Sequence, residues 1–406
     1  MSVQGGFHSY EGKPYSERSF EKAIALGYLS EEDRDIILTY LDEKLVVSRI
    51  KEVRSLKLAT TLVGWKRNGL ISQPFRELTY PDLLLSVRKL ETTPNRKNRP
   101  FSDNSKHDYV VILKSFLHWL VENGFNVHLT PDQIRKIKNP KRDFDTRHPS
   151  DILTPDEIVA MIRAATHSRD RAILALHYEC GTRISEIARL TWNDIKPDRY
   201  GAVVYISDTK TGKRRQGRIT VNFAATYLNI WKNDYPGDPS GDKPVFVKLQ
   251  RDGPLTYGLV YQMFHDAAKA AGITKKVSTH LFRATRITHL VEQGLPENTL
   301  KETIWGNQGT DMIKTYVKMS PGELDKALLR HQGIIVDEDL KARTIEGKTC
   351  PECGAGSLPT ADFCSRCGVP FPSYPKYDSF QKFMKIAEKN HADLMEDALL
   401  MMVSEK

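Results

Sequence analysis

The chain has 406 residues, room for two or three domains, and its 40% hydrophobic and 9% aromatic content is that of a folded protein, which excludes a disordered or fibrous one. Lys and Arg number 60 against 51 Asp and Glu, and the resulting net charge of +9 suits an anionic partner through long-range attraction and counterion release. No run of about eighteen apolar residues occurs and Met1–Tyr10 lacks the apolar stretch of a signal peptide, so a soluble intracellular protein with no membrane partner is expected.

Residues 1–30 form an N-terminal extension with few signals beyond an apolar-periodic piece around Phe20–Leu26. At Ser30 the pattern turns helical, since Ser30 ahead of Glu31 and Glu32 reads as an N-cap with acidic first-turn residues, and Ile36, Ile37, Tyr40 and Leu41 share a face. A second helix is expected from about Leu45 to Lys66, with Arg49, Lys51, Arg54, Lys57 and Lys66 on its polar faces, and a third from Asp82 to Leu90. In a fourth, Tyr109, Ile112, Leu113, Phe116, Leu117 and Leu120 recur at helical spacing and Gly124 stands where a C-cap would. Together these make a helical domain over 31–138. The stretch 139–150, with Pro140, Lys141, Arg142 and Pro149, is basic and irregular; it reads as a linker that lies along a DNA backbone or serves as a solvated tether.

A second domain, 151–333, opens at Leu153-Thr154-Pro155-Asp156-Glu157, where Thr154 caps, Pro155 takes the first helical position and Glu157 closes a capping box. Helices continue to about Leu190. The period then changes to two over Val203–Ser207, and Arg218–Val221 supplies a second strand across a turn at Lys210-Thr211-Gly212-Lys213. Further helices are expected over Gly258–Ala271, His280–Gln293, Asn298–Trp305 and Thr310–Lys318, followed by an amphipathic piece ending near His331. The expected class is therefore mainly α with one small antiparallel sheet.

Cys350, Cys353, Cys364 and Cys367 form two C-x-x-C pairs within residues 345–375, the spacing of a zinc ribbon. Four thiolates would close the shell of a structural Zn2+, whose binding would supply the folding energy that so small a module lacks; a redox dithiol pair is the other reading. An amphipathic helix is expected over 378–403, its apolar stripe covered by the ribbon or by a neighbouring protomer.

The chemistry sits between these landmarks. A phosphodiester under attack gathers negative charge, which fixed forked cations stabilise; Arg183 and Arg283 are the candidates. A phenol forms a covalent phosphoester and later leaves, but with a pKa near 10 it needs help to lose its proton, which would make Tyr316 the nucleophile and His280, or an arginine-polarised network around it, its proton partner. Lys210, or else Lys213, would protonate the departing oxygen. Singly these residues have plainer readings: Arg183 as a surface helix residue, His280 as a cap, Tyr316 as core, Lys210 as one cation of a solvated hairpin. His289 reads as packing, and Glu186 as a structural carboxylate that orients nearby arginines or caps a helix.

Gly181-Thr182-Arg183-Ile184-Ser185-Glu186-Ile187-Ala188-Arg189-Leu190-Thr191-Trp192 resembles the first arginine motif of the tyrosine recombinases, the phage integrase and Xer-like family. His280-Leu281-Phe282-Arg283 resembles that family's H-x-x-R box, and Tyr316 lies where its nucleophile lies. The resemblance implies a helical SAM-like core-binding domain and a mostly α catalytic domain that together clamp a duplex. It implies strand exchange at specific sites in double-stranded DNA through a 3′-phosphotyrosyl bond and a Holliday junction, by four protomers on two duplexes and with no catalytic cofactor. Lys210 matches the hairpin lysine, and Lys213, Arg214, Arg215, Lys141, Arg142, Arg49 and Lys57 are expected DNA contacts. Asn307, in Ile304-Trp305-Gly306-Asn307, replaces a second histidine, and an amide donates a hydrogen bond but carries neither charge nor proton. That departure leaves open a protein that holds DNA or junctions without cutting, and the shared chemistry leaves open a type IB-like topoisomerase. The ribbon on such a chain suggests an archaeal mobile element, and the location implied is cytoplasmic, on DNA.

Overall fold

The computed structural model describes residues 15–95, 98–143, 148–207, 214–221, 223–249, 255–313, 317, 329, 345–364, 366–374, 376–379 and 381–382. The chain divides into two compact units, one over residues 9–146 and one from residue 147 onward.

The first unit is helical. Phe20 and Ala23 bury one face of α1 (Tyr15–Ala25), the segment whose sequence signals were weakest. Ser30 caps α2 (Glu31–Val46) as expected, its Oγ accepting the Asp33 N–H at 3.1 Å. The single helix expected from Leu45 to Lys66 is instead a break and a new helix, α3 (Glu52–Arg67), with Arg49 between them at a φ of 48°. Val46 and Val47 are β-branched and more than 70% exposed, so neither propensity nor burial carries the helix onward there. Lys66 also departs from its expected polar face: it is buried and pairs with buried Asp33 at 2.7 Å, over the ring of Phe75.

Beyond these lie α4 (Tyr80–Thr92), α5 (Asp103–Glu122) and the short α6 (Pro131–Lys136). The core forms where Phe116 of α5 meets Tyr40 and Phe75 edge-to-face, with ring centroids 5.2 and 5.1 Å apart. Asn126 staples the chain after α5, donating to the carbonyls of Phe75 and Leu78 and accepting from the amides of His128 and Leu129. The basic stretch after α6 is tied back to α5, since His107 Nδ1 lies 2.7 Å from the Pro140 carbonyl and Lys114 donates to that of Ile137.

The second unit opens with the expected capping box at α7 (Pro155–Ala164): the Thr154 amide donates to Glu157 and the Glu157 amide to the Thr154 hydroxyl. Its axis is α8 (Ser168–Cys180), buried on every side from Ala172 to Tyr178, and that full burial explains why no single apolar stripe marks it in the sequence. Then come the one-turn α9 (Ile184–Ile187) and a three-stranded antiparallel sheet in the order β1 (Ile195–Asp198), β2 (Gly201–Ser207), β3 (Arg214–Thr220). The register pairs Ile206 with Arg215, Val204 with Gly217 and Ala202 with Ile219, so all six share the inward face.

The helices α10 (Ala224–Asn233), α11 (Tyr257–Ala270), α12 (Thr279–Glu292) and α13 (Glu297–Trp305) pack about α8, and the last three agree with expectation within a residue or two. Neither β1 nor α10 was anticipated. The two-residue strands β4 (Lys348–Thr349) and β5 (Gly356–Ser357) pair in the cysteine module. The expected helix over Thr310–Lys318, the piece ending near His331 and the helix over 378–403 fall largely outside the described residues.

Candidate active site

Two sequence motifs a hundred residues apart meet at one point. Gly181 ends α8 in the left-handed region at a φ of 54°, with the Ile304 Cδ1 methyl 2.8 Å from where a Cβ would stand, so a side chain there would strain the backbone and displace that methyl. The turn it makes releases Arg183 at the head of α9 and aims the Gly181 carbonyl at Arg283. Arg283, fully buried on α12, donates through Nη1 to that carbonyl and through Nη2 to the carbonyl of Ile304, 3.1 Å away. Its guanidinium also lies 5.5 Å from the centroid of the Trp305 ring.

Glu186 sits at the centre. Its carboxylate accepts the Arg183 amide at 2.7 Å and Arg183 Nη1 at 2.8 Å, accepts Arg215 Nη2 at 2.8 Å, and lies 3.9 Å from Arg283 Nη1. Burial alone would raise its pKa. The guanidiniums of Arg215 and Arg283 and the Arg183 amide outweigh burial and hold the carboxyl below its ordinary value. The structural role expected of Glu186, capping a helix and orienting arginines, is what the geometry displays.

A third element clamps the two motifs together. His177, fully buried one turn before the end of α8, lies 2.9 Å from the Thr182 hydroxyl through Nδ1 and 2.9 Å from the Thr279 carbonyl through Nε2. A carbonyl only accepts, so Nε2 carries the proton and Nδ1 accepts from the hydroxyl. Its ring stacks on Phe282 and meets Phe264 edge-on. His177 thus ties the residue before Arg183 to the residue before His280, a function its place in an apolar run of the sequence gave no sign of. Burial drives its pKa down to about 4 against the pull of the Thr279 carbonyl, with Arg283 and His280 adding to the depression. The neighbouring Tyr178 hydroxyl lies 2.7 Å from His289 Nδ1, which makes His289 the packing residue it was expected to be.

His280 is exposed in the first turn of α12, and Arg183 keeps a fifth of its side chain in solvent. Asn307 is exposed after α13, its Oδ1 accepting the Gly309 amide at 3.1 Å. Tyr316, Lys210 and Lys213 lie outside the described residues. Arg214 is exposed, 2.9 Å from Asp194 and over the Tyr205 ring. Arg215 departs from its expected place on a DNA-facing surface. It points inward with Gly217 and Ile219, is 5% exposed, and bonds Glu186 and the Thr303 carbonyl. The strand alternation puts it there, because the register that buries Ile219 must bury Arg215 as well. In the first unit Arg49, Lys57, Lys141 and Arg142 are all exposed, and Lys57 and Arg142 each lie 3.4 Å from Asp108. The remaining cysteine, Cys180, is buried, its thiol pushed up to about 12 by that burial, which makes it a core group and not a nucleophile.

Residues 151–322, which carry both arginine motifs, match the phage integrase family. This segment belongs to the phage integrase family, the tyrosine recombinases. Over 164 residues the chain is 33% identical to the tyrosine recombinase XerD of Mycobacterium tuberculosis, a match covering 37% of this chain and 51% of that one. It is 28% identical over 235 residues to the tyrosine recombinase XerC of Xanthomonas campestris pv. campestris, covering 57% and 67%. A lambda integrase tetramer bound to a Holliday junction has the same fold, with a TM-score of 0.53 at 18% identity over 77% of this chain and 83% of that one. The chain spans about half the length of the XerD relatives it matches.

The cysteine module belongs to the same compact unit as the integrase segment. The four sulfurs lie within 4.8 Å of one another, with Cys350 and Cys367 3.5 Å apart and Cys353 and Cys364 3.6 Å apart. Thiolates about 2.3 Å from a tetrahedral Zn2+ would stand roughly 3.8 Å from each other, so the donor set fits. The backbone already has the shape of two metal knuckles, in which the Gly354 and Gly368 amides fold back onto the carbonyls of Cys350 and Cys364 at 3.0 Å. The module is anchored by Arg163 of α7, 3.2 Å from Asp362, by the Tyr227 hydroxyl of α10, 2.6 Å from Thr360, and by Leu358 against the main core. One face of the ribbon is thus taken up by its own chain.

Proposed function

We propose that the chain is a site-specific DNA recombinase that cuts and rejoins strands through a 3′-phosphotyrosyl intermediate and a Holliday junction, as a tetramer on two duplexes in the cytoplasm. The observation that carries this reading is the convergence of Arg183 and Arg283 on Glu186 within a phage integrase segment. A guanidinium has five N–H donors in a rigid fork, so backbone bonds that fix the plane of Arg283 are compatible with contact to a scissile phosphate. Held in advance, the two arginines need no reorganisation as charge grows on the non-bridging oxygens. In this reading Tyr316 attacks, His280 shares its proton, Lys210 protonates the departing 5′ oxygen and Asn307 donates to the phosphate. Bond energy is kept in the phosphotyrosine, so no catalytic cofactor is required. Arg214, Lys213, Lys141, Arg142, Arg49 and Lys57 would neutralise the duplex backbone.

The test is incubation with nicked suicide duplexes carrying candidate sites from the DNA that flanks the gene, run on a denaturing protein gel. A slower-migrating protein–DNA band supports recombination. A native-gel shift with no covalent band at any site would turn the reading to a DNA- or junction-holding protein, the outcome that Asn307 motivates.

The same reading assigns one structural Zn2+ to Cys350, Cys353, Cys364 and Cys367, and zinc supplies no step of the reaction. Purified chain is expected to hold one zinc per molecule by elemental analysis, and a Cys350→Ser, Cys364→Ser double variant close to none. Without the metal, amides 350–371 should exchange at least about tenfold faster while those of α8 keep their protection, because the module is too small to fold on its own core. Unchanged exchange in the metal-free variant would refute the structural assignment.

A further inference from the structure

Arg215 brings a full charge into the inward, otherwise uncharged file of β3. A lone arginine in the inward file of a strand is costly, and a buried pair seldom adds stability over an apolar replacement, so its retention calls for another reason. It bridges two places that matter to the site. Nη2 holds Glu186 Oε2 at 2.8 Å, and Nη1 holds the carbonyl of Thr303 at 2.8 Å. The next carbonyl of α13, that of Ile304, is held by Arg283. Arg215 and Arg283 therefore grip the end of α13 side by side, immediately before Gly306 and Asn307, and both face the same carboxylate.

We infer that Arg215 is a positioning residue, whose charge satisfies the Glu186 oxygen that Arg283 faces, so that Arg283 stays directed to the scissile phosphate instead of collapsing onto the carboxylate with which Arg183 is already paired. The inference rests on the recombinase reading. Arg283 Nη1 is 3.9 Å from Glu186 Oε2, one short movement from a full ion pair. With Arg215 gone, the Oε2 side of the buried carboxylate would be left short of positive charge, and Arg283 is the cation within reach. Its field would then be spent on Glu186, and its fork turned from the phosphate. Because Arg214 and Arg215 begin β3, where Arg214 pairs with Ser207 and Arg215 with Ile206, the same residue also couples this end of the β2–β3 pair to the arginine cluster.

The experiment compares wild type, Arg215→Gln, Arg215→Lys and the double variant Arg215→Gln, Glu186→Gln in single-turnover adduct formation on a nicked suicide duplex. The scissile linkage is either an ordinary phosphate or a neutral methylphosphonate. Arg215→Gln is expected to slow adduct formation about a hundredfold on the phosphate, the usual consequence of misplacing a catalytic group by about an ångström, with DNA binding unchanged within about twofold. On the methylphosphonate, which does not demand the arginine charge, the defect should shrink by at least about tenfold. The double variant should regain at least about tenfold on the phosphate, since a neutral amide no longer draws Arg283. Arg215→Lys, which keeps the charge but loses the bridge, should fall between wild type and Arg215→Gln.

Equal defects on the two linkages, or no recovery in the double variant, would mean that Arg215 only holds the fold together and would overturn the inference. If wild type forms no adduct at all, it is the recombinase reading that fails. Amide exchange then decides the positioning role alone: residues 183–187 should lose at least about tenfold protection in Arg215→Gln and recover it in the double variant, and unchanged protection would overturn the role.

Discussion

Tyr316→Phe is expected to abolish the covalent protein–DNA band on a nicked suicide duplex while leaving native-gel DNA binding within about twofold of wild type. In the proposed reaction the phenol oxygen is the whole of the nucleophile, so adduct formation should fall by more than about a thousandfold, to the limit of detection. The substitution removes only the hydroxyl and keeps the ring. A surviving band in the variant would move the nucleophile elsewhere. On the same substrate Asn307→His should speed adduct formation several-fold, because an imidazolium offers the phosphate a charge-assisted hydrogen bond in place of a neutral one. No gain would mark the position as one the reaction does not use.

The second large effect is on stability and follows from His177. In the folded chain its pKa is driven from 6.5 to about 4, by burial first, with the Thr279 carbonyl opposing and Arg283 and His280 assisting. Between those values the unfolded chain binds a proton that the folded one refuses. Stability contributed by neutral His177 is complete above pH 6.5 and is lost as the pH falls toward 4, by about 3 kcal/mol over the whole interval and about 2 kcal/mol by pH 5. Glu186 acts lower: its depressed carboxyl contributes stability above its ordinary value of 4.5 that is lost as the pH falls through its folded value. The amides of α8 and α12 should therefore exchange on the order of tenfold or more faster at pH 5 than at pH 7.5, after correction for intrinsic rates. In His177→Gln, whose amide both donates and accepts but does not titrate, most of that difference should vanish. An equal pH dependence in the variant would assign the acid sensitivity to other groups.

Much of the architecture was legible because it rests on local rules. Ser30, Thr154 and Gly124 marked helix ends, and the periodicity of Tyr109–Leu120 marked α5. The break between α2 and α3 was not legible, since charged residues continue through it and only the exposure of Val46 and Val47 shows that nothing there supports a longer helix. Nor was α10: its Tyr227, Leu228 and Trp231 are buried, but Ala224 and Ala225 ahead of them carry little signal.

The site divides along the same line. Its chemistry-bearing types and their order, Arg183, His280, Arg283 and the four cysteines, are properties of spacing along one chain, so the sequence alone determined them and the family to which they point. The partners of those residues were decided by the tertiary structure. His177 joins Thr182 to Thr279 across 102 residues, Arg215 reaches Glu186 across 29, and Arg163 meets Asp362 at the foot of the ribbon. Such pairings leave no local mark, because a buried polar group is satisfied by whatever the fold brings within about 3 Å, and that is set by how the helices pack around α8 and not by the neighbours along the chain.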